Sequence, residues 1–344
     1  MSDNKPLDLD ELMQKIDSVG QSGSTTEEQS GSTREEQSGS TREEQSGSTT
    51  EEQSGSTREE QSGSTKEEAP TSEQKTTFNI DTSKVRLVIA TPCYGGGIQA
   101  HYLISLISTI ELLREKGIEY EVSILPGDSL VQRARNALVA KFLSNPKNTH
   151  MLFIDADIHW NPIEILKLLS HDKAVVGGLY PKKAWKWENL KDVESFKGKG
   201  CLSHNQGISE TDLIKHNLLT YDVNYIPGKP VGIMNNQIEV RHVATGFMMI
   251  QRATFERIIE CVGDEIKYTD DCGALNESEN PFLYAFFDCK IKKDHYLSED
   301  WWFCERWRQL GGKVYVDVTI ALTHLGYSAF PGRFLSTIKI NGNA

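Results

Sequence analysis

The chain has 344 residues, 38% hydrophobic and 25% charged, an ordinary globular composition with room for one large α/β domain and additions or for two average domains. Its formal net charge of −12 is local: residues 1–80 hold 18 acidic and 7 basic side chains out of totals of 49 and 37, leaving a near-neutral 31 and 30 in residues 81–344. That balance argues against a broad basic platform for nucleic acid; no run nears the ~18 apolar residues of a membrane span and the start lacks a leader pattern, so a soluble, cytoplasmic protein is expected.

Residues 1–21 carry a short amphipathic pattern, with Leu7, Leu9, Leu12, Met13 and Ile16 spaced over Leu7–Val19. Two readings stand: a docking helix, or a frayed chain end. Residues 22–69 are six copies of the eight-residue unit Ser-Gly-Ser-Thr-x-Glu-Glu-Gln, the last ending in Ala69. These repeats have no apolar side chain with which to bury a face, so 22–75 is expected to be a disordered, self-repelling tether. As a coil of ~50 residues it would span about 40 Å. A single folded body is expected over 81–335, with a tail at 336–344.

Val85–Ala90 is an apolar, β-branched run stopped by Thr91-Pro92-Cys93-Tyr94-Gly95-Gly96-Gly97. Gln99–Lys116 has helical spacing and ends at Gly117. Tyr120–Leu125 reads as a strand, Leu130–Leu143 as an amphipathic helix and Met151–Ile154 as a third strand. Pro162–Leu169 reads as a helix opening at proline and Ala174–Leu179 as a fourth strand. The alternation predicts an α/β, Rossmann-type doubly wound and mostly parallel sheet. Residues 181–235 are polar and read as a long excursion. Strands are expected at Ile238–Val243, Gly246–Gln251, Val314–Val318 and Ile320–Leu322, with helices at Thr254–Cys261 and Ser298–Leu310. The six cysteines form no Cys-x-x-Cys pair and read as reduced, mostly buried thiols.

The sharpest chemical signal is Phe153-Ile154-Asp155-Ala156-Asp157, two acids beyond a buried strand. In an extended chain residues two apart face the same side, about 7 Å from one another. Ligand sites in open α/β sheets lie beyond the carboxyl ends of strands, and a like-charged pair there calls for a cation such as Mg²⁺ or Mn²⁺. The plain alternative is one acid capping a turn and the other solvated. A second cluster, Ser298-Glu299-Asp300-Trp301-Trp302, begins a helix; Ser298 or Asp300 suits an N-cap, while adjacent tryptophans about 100° apart put one ring outside the core. A third element is Thr323-His324-Leu325-Gly326, after the final extended run.

In this order, the Thr-Pro strand end, the Asp-x-Asp strand end, the apolar Thr-Gly-Phe-Met-Met-Ile run, the Glu-Asp helix start and the late His-x-Gly resemble the GT-A glycosyltransferases. The likeness spans most of residues 85–330 and is strongest to the family-two-like branch. The string Leu130-Val131-Gln132-Arg133-Ala134-Arg135-Asn136 adds a likeness to members found in phages and large DNA viruses. The resemblance implies a GT-A fold and transfer of a sugar from a nucleoside-diphosphate donor to a hydroxyl on a glycan, protein or small molecule. It implies Mn²⁺ or Mg²⁺ held by Asp155, Asp157 and His324, and Asp300 as the general base of an inverting reaction. Donor contacts fall on Thr91, Pro92, Tyr94, Asp128, Arg133, Asp155 and Ala156, and acceptor contacts on Glu299, Trp301, Trp302 and Trp185. Two alternatives remain open: a sugar-phosphate nucleotidylyltransferase, although Cys93–Gly97 lacks the Arg or Lys that class carries, and a non-catalytic nucleotide-sugar-binding or scaffold protein.

Overall fold

A computed structural model describes residues 78–194 and 207–338. The amphipathic segment in 1–21, the tether at 22–75, Cys201 and the last residues of the tail lie outside the described residues.

The body is built on a seven-stranded sheet in the order β2-β1-β3-β7-β5-β10-β6. Its strands are β1 (Arg86–Cys93), β2 (Glu119–Pro126), β3 (His150–Ile154), β5 (Val175–Gly178), β6 (Gln237–Val240), β7 (Phe247–Gln251) and β10 (Val314–Asp317). β1 runs parallel to β2 and β3, and β10 parallel to β5. β7 runs antiparallel between β3 and β5, and β6 antiparallel to β10 on the edge. Five strands therefore share one direction and two oppose it. The alternating helices do make an α/β sheet, but the third and fourth expected strands are not neighbours; the Phe-Met-Met-Ile run of β7 lies between them. Strands buried on both faces read as continuous apolar runs, so their sequence carries no mark of which partner they take.

Helices α1 (Ala100–Glu115), α2 (Val131–Ser144), α3 (Ile163–Ser170), α4 (Glu210–Asn217), α5 (Arg252–Ile266) and α6 (Glu299–Gln309) complete the main framework. α2 packs on β1 and β2, and its buried face places Leu138, Phe142 and Leu143 against Val88, Met151 and Phe255 in the core. The long excursion holds a helix: Ser209 caps α4 by accepting a hydrogen bond from the Asp212 amide at 3.1 Å, and Leu213 is buried. The body continues past Arg333, since Phe334, Leu335 and Ser336 are buried. Among the described cysteines all are free; Cys93 and Cys304 are buried, whereas Cys261 and Cys272 are exposed, so mostly buried thiols are not what the fold provides.

A second sheet, β12-β11-β4, positions the site. It consists of β4 (Ile158–Trp160), β11 (Ala321–Leu325) and β12 (Ala329–Arg333). β4 begins three residues after Asp155, and β11 pairs antiparallel with it, aligning His324 with Ile158 and Thr323 with His159. The Leu325 amide also donates to the Asp157 carbonyl at 2.8 Å. The expected Ile320–Leu322 strand is thus displaced and lengthened, and His324 lies within it rather than after it. A small hairpin, β8 (Lys290–Lys292) and β9 (His295–Leu297), precedes α6.

β5 ends in Gly177-Gly178 because its neighbours approach too closely for a side chain. A Cβ at Gly177 would lie 2.7 Å from the Phe247 carbonyl oxygen and 2.8 Å from Val243 Cγ2. Gly177→Ala is expected to destabilise the fold by about 1–3 kcal/mol, the usual range for overpacking. A lowered urea midpoint at unchanged slope is the expected result; an unaltered midpoint would contradict this packing.

Candidate active site

β3 delivers Asp155 out of the sheet, with its amide donating to the Gly246 carbonyl at 3.1 Å. The Gln99 amide, at the start of α1, donates to the Ala156 carbonyl at 3.1 Å and fixes the turn between the two acids. The acids then part company. Asp155 Oδ1 accepts from Arg135 Nη2 at 3.0 Å, while Asp157 faces Lys183 and His324.

Arg135 is the residue that sequence reading passed over. It is 3% exposed, reaches Glu299 Oε1 at 3.3 Å as well as Asp155, and lies 5.6 Å from the centroid of the Phe153 ring. It joins the end of β3 to the start of α6. Its Nη1 is buried with no hydrogen-bond partner. A signal for it existed: Arg135 precedes Leu138 by three residues and Phe142 by seven, which is core-facing spacing on α2. Arg133, two residues earlier, points elsewhere and pairs with Asp128, its Nε lying 2.9 Å from Oδ2 and its Nη2 2.8 Å from Oδ1.

Asp157 and His324 do converge. His324 Nε2 is 3.5 Å from Asp157 Oδ1, and its Nδ1 is hydrogen-bonded to the Pro181 carbonyl at 2.8 Å, so Nε2 is the ring atom presented to the acid. Lys183 pairs with the other oxygen of Asp157. Burial would raise the Asp157 pKa, but the His324 and Lys183 contacts outweigh it and hold the carboxyl below its ordinary value. Tyr180 packs edge-on against His324, with centroids 5.1 Å apart, and its hydroxyl accepts from the Gly246 amide at 3.2 Å. Burial first, then the fields of Asp155 and Asp300, push the Tyr180 phenol well above its usual pKa, so it stays protonated between the two acids.

Among the described residues no group of three or more His, Cys, Asp or Glu side chains is gathered for a metal ion. Two donors, Asp157 Oδ1 and His324 Nε2, do face one another, and Asp155 is turned to Arg135. Mg²⁺-type ions are commonly held by one or two carboxylates together with substrate phosphates and water; Asp157 could supply that carboxylate, with His324 Nε2 beside it.

Arg135, Asp155 and Asp157 border a cleft of about 510 Å³ lined also by Pro92, Tyr94 and Asp128, whereas His324 and Tyr180 line a smaller cavity of about 70 Å³ with Pro181 and Lys182. Of the expected donor contacts, Pro92, Tyr94, Asp128, Asp155 and Ala156 line the larger cleft. Thr91 does not: it is fully buried and its hydroxyl is 2.5 Å from that of Tyr102. Arg133 is not among the lining residues either.

Neither a protein-family model nor a curated protein matches the sequence. Among solved structures the chain is distantly similar to the A197 protein of STIV, at 15% identity and a TM-score of 0.36 over 76% of this chain and 100% of that one. It is also distantly similar to a glycosyltransferase involved in the glycosylation of the major capsid of PBCV-1, at 14% identity and a TM-score of 0.21 over 37% of this chain and 74% of that one. No helix among the described residues is long and apolar enough to cross a membrane.

The first turn of α6 carries the remaining acids. Glu299 is committed to Arg135, whereas Asp300 Oδ1 accepts from the Ser298 hydroxyl and from the Trp301 amide at 2.8 Å. Ser298 is the residue before the helix but its side chain bonds Asp300 rather than the helix backbone. Burial, with repulsion from Glu299, raises the Asp300 pKa from 3.8 to about 6. The aromatic candidates separate: Trp301 stacks on His242 at 4.9 Å, Trp302 lies against Arg306 at 5.4 Å, and Trp185 packs against Phe330 and Trp187.

A carboxyl whose folded pKa is raised costs stability once it ionises, so that cost is absent below pH 4 and complete above pH 6. Asp300→Asn is therefore expected to stabilise the protein near pH 7.5 by up to about 3 kcal/mol, with the gain vanishing near pH 4. Urea unfolding at both pH values checks this; an equal effect at each would show that Asp300 is not held against ionisation.

Proposed function

We propose that this protein is a GT-A glycosyltransferase that moves a sugar, with inversion, from a nucleoside-diphosphate donor to an acceptor hydroxyl. The observation that carries the reading is that Asp155 and Asp157 line one cleft, with Asp157 paired with His324 and Asp155 joined to Glu299 of α6 through Arg135.

On this reading the donor lies in the cleft between the β1 end and Asp155–Asp157, with its diphosphate toward Asp157, His324 and Lys183. Asp157 Oδ1 and His324 Nε2 would hold Mn²⁺ or Mg²⁺, which when bound offsets the negative charge developing on the departing nucleoside diphosphate. The Lys183 ammonium, now on Asp157, adds a mobile positive charge on the same side. Arg135, which lines the cleft, adds a further positive charge near an anion bound there.

Asp300 serves as the base. The acceptor oxygen attacks the anomeric carbon, its bond to the phosphate oxygen breaks, and the hydroxyl proton passes to the Asp300 carboxylate. With a pKa of about 6 that carboxylate is largely ionised at neutral pH yet close enough to it to take a proton effectively. One base on the face opposite the leaving group suffices for inversion.

The test is a thermal-shift panel of uridine, guanosine, adenosine and cytidine diphosphates with and without Mn²⁺, followed by transfer assays with the matching nucleotide sugars. One nucleoside diphosphate is expected to raise the melting temperature only with Mn²⁺, and Asp157→Asn to abolish that rise. Asp300→Asn should keep the rise and lose about 10²–10⁴-fold in transfer rate. No stabilisation by any nucleoside diphosphate, undiminished turnover in Asp300→Asn, or release of pyrophosphate from a nucleoside triphosphate and a sugar phosphate would overturn the reading.

A further inference from the structure

The first turn of α6 has two working faces. Glu299 reaches Arg135 and Asp300 is held by Ser298 and the Trp301 amide, while Trp301, Glu305 and Arg308, spaced four and then three residues apart, share another face. That second face forms one wall of a separate cleft of about 600 Å³. The other walls come from Arg241 and His242 and from the β8–β9 hairpin, whose turn residues Lys293 and Asp294 both have positive φ and turn the strands back tightly.

Four cations line this cleft, Arg241, Lys292, Lys293 and Arg308, and Glu305 is the one carboxylate among the lining residues. Glu305 is shared: Arg241 Nε pairs with Oε1, Lys292 Nζ lies 2.7 Å from Oε2, and Arg308 Nη1 lies 3.8 Å from Oε1. The charge of the cleft is therefore well in excess of what its own acid neutralises. His242 is 2% exposed, with Nε2 at 3.0 Å from Glu305 Oε1. Burial outweighs the carboxylate and lowers its pKa to about 4, so the ring is neutral at pH 7, donates from Nε2, and leaves Nδ1 as an acceptor with no partner. Trp301 stacks on that ring with planes 16° apart and adds a flat aromatic wall.

We propose that this second cleft binds a small anionic sugar, an acidic or phosphorylated monosaccharide unit, as the acceptor-side ligand of the same enzyme. The inference rests on the glycosyltransferase reading for its role and on the cleft itself for its chemistry. The volume is that of a one- or two-ring ligand. The excess cations take the carboxylate or phosphate, and the tryptophan takes the apolar face of the ring. The ligand then lies against the α6 face that carries Trp301, beside and not on the face that carries Asp300, and so is a unit of the acceptor other than the one that reacts. A long polyanion such as nucleic acid would call for an extended basic track, and residues 81–344 are near neutral as a whole.

The experiment is calorimetric titration of the full chain with D-glucuronate, D-glucose 6-phosphate, D-glucose, inorganic phosphate and a short single-stranded oligonucleotide, each at low and raised salt. At least one anionic sugar is expected to bind about tenfold more tightly than both glucose and inorganic phosphate, with affinity falling as salt rises. Which of the two anionic sugars binds more tightly distinguishes carboxylate from phosphate. Lys293→Asn, which keeps a residue tolerant of positive φ, and Arg308→Gln should each weaken that binding by about threefold or more while leaving the Mn²⁺-dependent nucleoside-diphosphate shift intact. Equal binding of glucose, tighter binding of the oligonucleotide, or unchanged affinity in both variants would overturn the proposal. A normal nucleoside-diphosphate shift alongside any of those results leaves the donor-site reading standing, whereas a shift lost in Lys293→Asn but kept in Asp157→Asn would sink that reading instead.

Discussion

A guanidinium buried to 3% exposure is shared between Asp155, at the end of β3, and Glu299, at the start of α6. Asp155 and Glu299 are 144 positions apart in the chain, and this one side chain makes them neighbours. A buried cation between two acids is held by Coulombic attraction that the cost of desolvation largely cancels, and removing it would strand two carboxylates in a poorly solvated place. Arg135 thus fixes where the Asp-x-Asp turn and the α6 acids stand relative to each other. It also settles the division of labour between the two strand-end acids, since an Asp155 engaged by Arg135 leaves Asp157 as the one that meets His324 and Lys183.

The second sheet does for His324 what Arg135 does for α6. β4 follows the two acids within three residues, so any strand that pairs with it is brought to Asp157. β11 pairs in a register that sets His324 opposite Ile158, and the Leu325 amide holds the Asp157 carbonyl. Backbone pairing, rather than attraction between the side chains, delivers the imidazole. Lys183 reaches the same acid along Gly326, where a Cβ would lie 3.0 Å from the lysine Cδ. Each acid of the motif is therefore already matched by positive charge, and under the proposed function an incoming diphosphate would compete for Lys183 rather than meet bare carboxylates.

Much of this arrangement is legible in the sequence, and the parts that are not share a cause. The strand and helix alternation from Val85 to Leu179 is written in periodicity, because those elements are long and have clear stops. The antiparallel entry of β7 between β3 and β5 is not, since runs buried on both faces carry no sidedness from which to read a partner. β4 escapes because Ile158-His159-Trp160 is too short to show alternation. Asp157, His324 and Asp300 stand out as polar groups beside apolar runs in an order that resembles a known family, although a cap or turn role is an equal reading for the acids. Arg135 and Lys183 do not. Arg135 shows only through its spacing from Leu138 and Phe142 on α2, and Lys183 stands in the polar excursion with no such pattern, so the fold is needed to show the one buried and the other paired with the motif acid. Thr91 errs in the opposite sense, as a strand-end hydroxyl that satisfies Tyr102 in the interior instead of a ligand.

The claim at the centre is that His324 and Asp157 form one binding unit for a divalent cation with a nucleoside diphosphate. Histidine ring resonances followed by NMR during titration with Mn²⁺ and a bound nucleoside diphosphate address it directly, because the paramagnetic ion broadens signals of nearby rings. The account predicts that the His324 resonance disappears first, while those of His242 and His295 in the second cleft persist. Uniform broadening, or a His324 signal that outlasts them, would contradict it.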